Sequence, residues 1–232
     1  MITLTALRIN QKQIGFTLIE MAMVLFIVAL LLGGLLPTLS GQVEQRRVSE
    51  TRKQLDEIQQ ALLGFAIVNG RLPCPAKPTI ATTDTANNPG TEVCTPTMLT
   101  TGVIPWATLG LNETDAWGRR FTYTATSAFI NSSPTFTLAS NGTLTVKSAV
   151  GGSNIASSIP AVVVSHGTNG YGAYTSQGTQ LTISSDLDEA DNSNGGTTFV
   201  SHSFIQNGFD DLVIWISPNT LMNRMVAAGK LP

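Results

Sequence analysis

Charge is scarce in this sequence. Only 12% of its 232 residues are charged, against about a quarter in an ordinary globular chain. Thirteen lysines and arginines face fifteen aspartates and glutamates, a formal charge of -2. Without a basic excess the chain cannot neutralise a phosphate backbone, so no nucleic-acid partner is expected. Aromatics make up 6%, and there are two histidines and two cysteines. The spacing of those four fits no zinc signature. There is no Gly-x-Ser-x-Gly elbow, no phosphate loop and no metalloprotease helix, and Gly167 to Gly172 is a glycine-rich turn without a following Lys-Ser/Thr. The chain is therefore expected not to be an enzyme, and His166 and His202 to be surface or hydrogen-bonded histidines.

What the sequence does have is one long apolar run. Phe16 to Leu39 contains a single charge, Glu20, and a single proline, Pro37. A helix of about 20 apolar residues crosses a bilayer core, so this run is long enough to span. Arg8 and Lys12 precede it and no acid does, which sets the N-terminus on the cytoplasmic side and the remainder outside. A cleaved secretory signal would have a 7–15-residue apolar core and a small-x-small site; this run is longer and continues into a polar helix. An acid within it costs roughly 2.5–3.5 kcal/mol to insert, which marks Glu20 as functional.

Gly15-Phe16-Thr17-Leu18-Ile19-Glu20 closely resembles the class III signal of type IV prepilins and pseudopilins. The resemblance implies cleavage after Gly15 by a prepilin peptidase and methylation of the new N-terminus at Phe16. It also implies retention of the helix and pairing of Glu20 with a neighbour's N-terminal ammonium during assembly. The partners it implies are other pilin or pseudopilin subunits, an inner-membrane assembly platform and membrane lipid. The fold it implies is α+β: a long N-terminal helix packed on an antiparallel sheet.

The expected organisation is a leader (1–15), a transmembrane helix (16–39), its continuation as stalk and sheet-packing helix (40–70), and a β-rich head (71–232). Mixed charge over 42–57 reads as a solvated stalk. Leu55, Ile58, Leu62 and Phe65 then form one apolar stripe, and Asn69-Gly70 ends the helix ahead of Pro73 and Pro75. Gly33-Gly34 and Pro37 are expected to weaken the middle of this helix. In the head, strands are expected at 120–124, 136–138, 144–146, 161–164 and 211–216, with Asn141-Gly142 turning a hairpin. Ser217-Pro218 opens a C-terminal helix.

Asp115-Ala116-Trp117-Gly118-Arg119-Arg120-Phe121 resembles the Asp-Pro-Trp-Gly-x-x-Tyr segment of the major pseudopilins of type II secretion, and Asp211-Leu212-x-x-Trp215 their closing Asp-Ile-x-x-Trp. The longer spacing here implies an insertion. Trp117 and Trp215 are expected in the core. The lone pair Cys74 and Cys94, outside the cytoplasm, suggests a disulfide; two separate thiols are the alternative. Asp186, Asp188, Glu189 and Asp191 form an acidic run, followed by Asp210 and Asp211. Major pseudopilins carry calcium in that region, which makes Asp188, Asp191, Asp210 and Asp211 candidate ligands. The EF-hand pattern is incomplete, however, so a solvated acidic loop with no cofactor is the favoured reading.

Together these features point to a structural filament subunit of a type II pseudopilus or type IV pilus. A tethered binding module, acting as adhesin or DNA receptor, is the alternative, and an exported enzyme comes third.

Overall fold

The computed structural model describes residues 15–95, 98–133, 135–205 and 208–231, with the side chains of 32–40 outside that description. The chain divides into two units, Met1–Gln45 and Arg46–Pro232. Helix α1 runs over Leu18–Asn69 as one helical element, including Gly33-Gly34 and Pro37. It stops where expected: Gly70 takes a left-handed φ of 72° and its N–H bonds the Ala66 carbonyl at 2.8 Å.

The second unit is α+β. Its elements are β1 (Thr101–Val103), α2 (Trp106–Leu109), β2 (Arg119–Arg120), β3 (Thr122–Ala125), α3 (Ser127–Ile130), β4 (Leu144–Lys147), β5 (Asn154–Ile159), β6 (Ala161–Ser165), β7 (Tyr174–Thr175), α4 (Leu187–Ser193), β8 (Thr198–Val200), β9 (Leu212–Ile216) and α5 (Pro218–Ala227). The main sheet has the order β1-β3-β6-β9, with every pair antiparallel. A second sheet, β5-β4-β8, is mixed, because β4 and β8 run parallel. β2 and β7 form a small third ladder.

The residues of β6 explain this layering. Ala161 to Ser165 are all buried. Alternate side chains serve two cores: Ala161 and Val163 join Leu55, Ile58, Leu62 and Ala66 of α1, while Val162 and Val164 join Leu144, Val146 and Phe199 of the second sheet. A strand covered on both faces reads as an unbroken apolar run. β9 repeats the pattern, with Leu212 and Ile214 on the helix side and Val213 and Trp215 on the other.

Three expectations change. Phe136 to Leu138 is no strand; Phe136 instead buries its ring 5.0 Å from that of Phe129. Asn141-Gly142 turns no hairpin, since neither residue has positive φ and the tight type I′ turn needs it at both. A Cβ on Gly142 would lie 2.2 Å from the Ile159 carbonyl carbon, so this glycine serves a close backbone approach to the end of β5. Trp117 is half-buried and lies in neither core cluster, whereas Trp106 is buried.

Candidate functional site

At the N-terminal end, Gly15 and Phe16 are exposed and non-helical. Thr17 then opens α1 as half of a capping box. Its backbone N–H donates to Glu20 Oε2 at 2.8 Å, its hydroxyl to the same oxygen at 2.9 Å, and Glu20 N–H returns a bond to Thr17 Oγ1 at 3.3 Å. The Thr-x-x-Glu spacing thus satisfies two orphan N–H groups and fixes the carboxylate beside the start of the helix. The side chains from Phe16 to Leu31 are all exposed, nearly all of them apolar. Among the described residues no helix is long and apolar enough to cross a membrane; 32–39 of the expected span, and Arg8 and Lys12 of the leader, lie outside the described side chains.

Cys74 and Cys94 form a disulfide with Cα atoms 5.5 Å apart. Glu92 anchors the loop they close. Its Oε2 accepts from Cys74 N–H at 3.0 Å, and both of its oxygens take the Arg71 guanidinium, at 2.8 and 2.9 Å.

Asp115 organises the Trp-Gly turn. Its Oδ1 accepts from the N–H groups of Trp117 (2.9 Å) and Arg119 (3.0 Å), and its Oδ2 from the Ser165 hydroxyl (2.7 Å). Burial raises its pKa despite these bonds. Thr51 on α1 accepts from Ala116 N–H at 3.3 Å, which ties this turn to the helix.

The acidic residues separate into two groups. Asp186 caps α4 by accepting from Asp188 N–H, Asp188 takes Val150 N–H at 2.6 Å and faces His202 Nε2 at 3.1 Å, and Asp191 takes Asn194 Nδ2. These side chains are partly exposed and locally satisfied. Glu189, Asp210 and Asp211 instead converge, with one carboxylate oxygen from each lying within 4.8 Å of the others. Glu189 and Asp211 are buried, which overturns the solvated-loop reading for this group. The cause is topological: α4 packs on β8, and the start of β9 carries Asp211 beneath it.

Some of these oxygens have partners. Asn169 N–H donates to Asp210 Oδ2 (2.8 Å), Asn169 Nδ2 to Glu189 Oε1 (2.7 Å), and Asn192 Nδ2 to Asp211 Oδ2 (2.8 Å). Asp210 Oδ1 and Asp211 Oδ1 are buried with no hydrogen-bond partner. Desolvation, with smaller contributions from Asp211 and Glu189, raises the Asp210 pKa to about 6. His166, fully buried, bonds Thr122 Oγ1 through Nε2 at 2.8 Å and turns Nδ1 toward Asp211 Oδ1 at 3.7 Å. Converging all-oxygen donors with buried free lone pairs suit a hard cation. Asp210 and Asp211 thus fit the calcium that the resemblance implies; Asp188 and Asp191 do not. Glu189, present in the acidic run, could have been singled out only by knowing where the far end of the loop returns.

Residues 10–36 match the family model of the prokaryotic N-terminal methylation motif. The segment is a type IV prepilin-like class III signal. Neither a curated protein nor a solved structure matches the chain. The motif implies processing by prepilin peptidase and assembly with other pilin subunits.

Proposed function

We propose that the protein is a structural, non-catalytic subunit held in the bacterial inner membrane by 16–39, with its head outside the cytoplasm, that assembles into a type II secretion pseudopilus or a type IV pilus. The methylation motif at 10–36 supports this reading, and Gly15, Phe16 and Glu20 all lie within the matched span. Lipid would cover the exposed apolar side chains from Phe16 to Leu31, a surface that costs roughly 25 cal/mol per Å² to leave in water. The pseudopilus branch is supported by the Asp115 turn and the Asp211-Leu212-x-x-Trp215 segment, and the assembly platform is the partner it requires.

Mass spectrometry of the mature N-terminus tests the processing step. The expected product begins at Phe16 and carries one added methyl group; replacing Gly15 by a bulky residue should leave the uncut precursor in the membrane. Normal Phe16-initiated protein from that variant would refute the assignment.

A further inference from the structure

The face of the main sheet that the second sheet covers changes character at β3. Val162 and Val164 of β6 join the second core, and their partners in register on β3 are Thr124 and Thr122. Thr101 of β1 continues the row opposite Thr124. Residues directly opposite one another across a ladder share a face, so threonines stand where the valine surface ends. Over them lies a cavity of about 290 Å³. Its other walls come from distant parts of the chain: the 172–183 segment, the end of α4 from Asn192 to Gly195, and Phe199 of β8. Two of these walls meet because Gly172 has no side chain; a Cβ there would overlap the side chain of Ser193.

We propose that this cavity binds one uncharged sugar ring, a hexose or an N-acetylhexosamine. Its volume is at the small end of the roughly 300–1,000 Å³ of ligand pockets, which suits a single ring. No acidic, basic or histidine side chain lines it, and an ion taken from water into such a place lacks its counter-charge. Hydroxyls and amides supply the polar lining, while Phe199, Ile183 and Pro78 supply the apolar part. A sugar ring has the same division, with hydroxyls at its edge and C–H groups on its faces. Three lining groups have hydrogen-bonding capacity to spare. The Thr101 hydroxyl accepts from Thr124 Oγ1 at 3.3 Å and keeps its own proton to give. Gln180 Nε2 donates to the Gly172 carbonyl at 3.1 Å, which leaves Oε1 as an acceptor. The Tyr174 phenol makes no hydrogen bond among the described residues. Ligand hydroxyls, which both give and take, match that mixture of donors and acceptor. The remaining polar groups hold the walls in place. Thr122 Oγ1 pairs with His166 Nε2 at 2.8 Å, and Asn192 is fixed by Asp211 and the Val200 backbone. The whole site lies within the unit Arg46–Pro232, so sugar binding does not depend on processing or assembly at the other end of the chain.

The test uses the full-length protein in a detergent without a sugar headgroup, because a maltoside would compete. Saturation-transfer NMR is run with glucose, galactose, mannose, N-acetylglucosamine and N-acetylgalactosamine, and with glucuronate and N-acetylneuraminate as charged counterparts. At least one neutral sugar should bind saturably with a Kd near ~1 mM, the strength that ordinary ligand efficiency gives about a dozen heavy atoms. Both acids should bind more weakly. Tyr174→Phe and Gln180→Ala keep the cavity walls and each remove one spare group; a loss of about fivefold in either places the sugar here. Tm within about 1 °C of the parent shows that the variant is folded. Tyr171→Phe, at an exposed tyrosine outside the cavity, should bind as the parent does. No saturable binding of any neutral sugar up to about 50 mM, acids that bind as tightly, or Tyr174→Phe and Gln180→Ala variants that both bind as the parent, would overturn the proposal.

Discussion

Arg120 shows how a single residue can organise a charge-poor head. Its guanidinium is fully buried. It donates to Glu113 Oε1 (2.8 Å), to the carbonyls of Pro78 (2.7 Å), Ile80 (2.9 Å) and Ser176 (3.1 Å), and to Thr82 Oγ1 (3.1 Å), and it lies 4.6 Å from the centre of the Trp106 ring. A planar fork fills that set of acceptors; a lysine ammonium would leave several bare. Arg120→Met should cost about 3–5 kcal/mol, because Glu113 loses its charged partner while the carbonyls of Pro78 and Ile80 lose their donor. Urea unfolding checks it; a loss under about 1 kcal/mol would show that water replaces the guanidinium. Cys74 and Cys94 act at the same scale, tying a loop with little core of its own. The double Cys74→Ser, Cys94→Ser variant should lose about 3 kcal/mol for a loop of this length. Thiol labelling of the unreduced parent should find neither cysteine free; two labelled cysteines in folded protein would contradict the bridge.

Among the elements, those governed by local chemistry were legible in the sequence. The end of α1 at Asn69-Gly70 follows from glycine's freedom at positive φ, and α5 follows from Ser217-Pro218, although Ser217 makes no side-chain cap bond. Three of the four residues expected in the stripe on α1 lie in the core. Leu55, Ile58 and Leu62 are buried, but Leu63 and Ala66 share the core while Phe65 stays half-exposed beneath the Arg71 guanidinium. Elements fixed by distant partners were not legible. β5 has few apolar residues, and nothing local indicates that β8 joins β4 in parallel. The ordinary hairpin preference of Asn-Gly loses at Gly142 to the approach of Ile159. That predicts a reversal: Gly142→Asn, which a type I′ turn accepts, should lower stability by about 1–3 kcal/mol through the clash at β5. An unchanged urea midpoint would restore the hairpin. The acidic cluster was obscure for the same reason, since its members, 189 and 210–211, meet only after a whole excursion closes.

For the whole molecule, the sequence divides the work between its ends. The first segment carries the signal, the exposed apolar side chains and Glu20, the one acid between 16 and 39; the head packs on the buried stripe of the later part of α1. Glu20 links the two levels. Within one chain it completes the Thr17 capping box; in the proposed filament it also faces a neighbour's N-terminal ammonium. Glu20→Leu removes both roles but eases insertion by roughly 2.5–3.5 kcal/mol, so membrane levels and processing should hold. Assembly would leave an ammonium buried and unpaired, at about 3–5 kcal/mol per addition, or roughly a hundredfold or more against each step. Crosslinking between subunits in fractionated cells measures this directly. Membrane-inserted, Phe16-initiated Glu20→Leu protein without crosslinked multimers is the predicted result; multimers at parental levels would contradict assembly through Glu20.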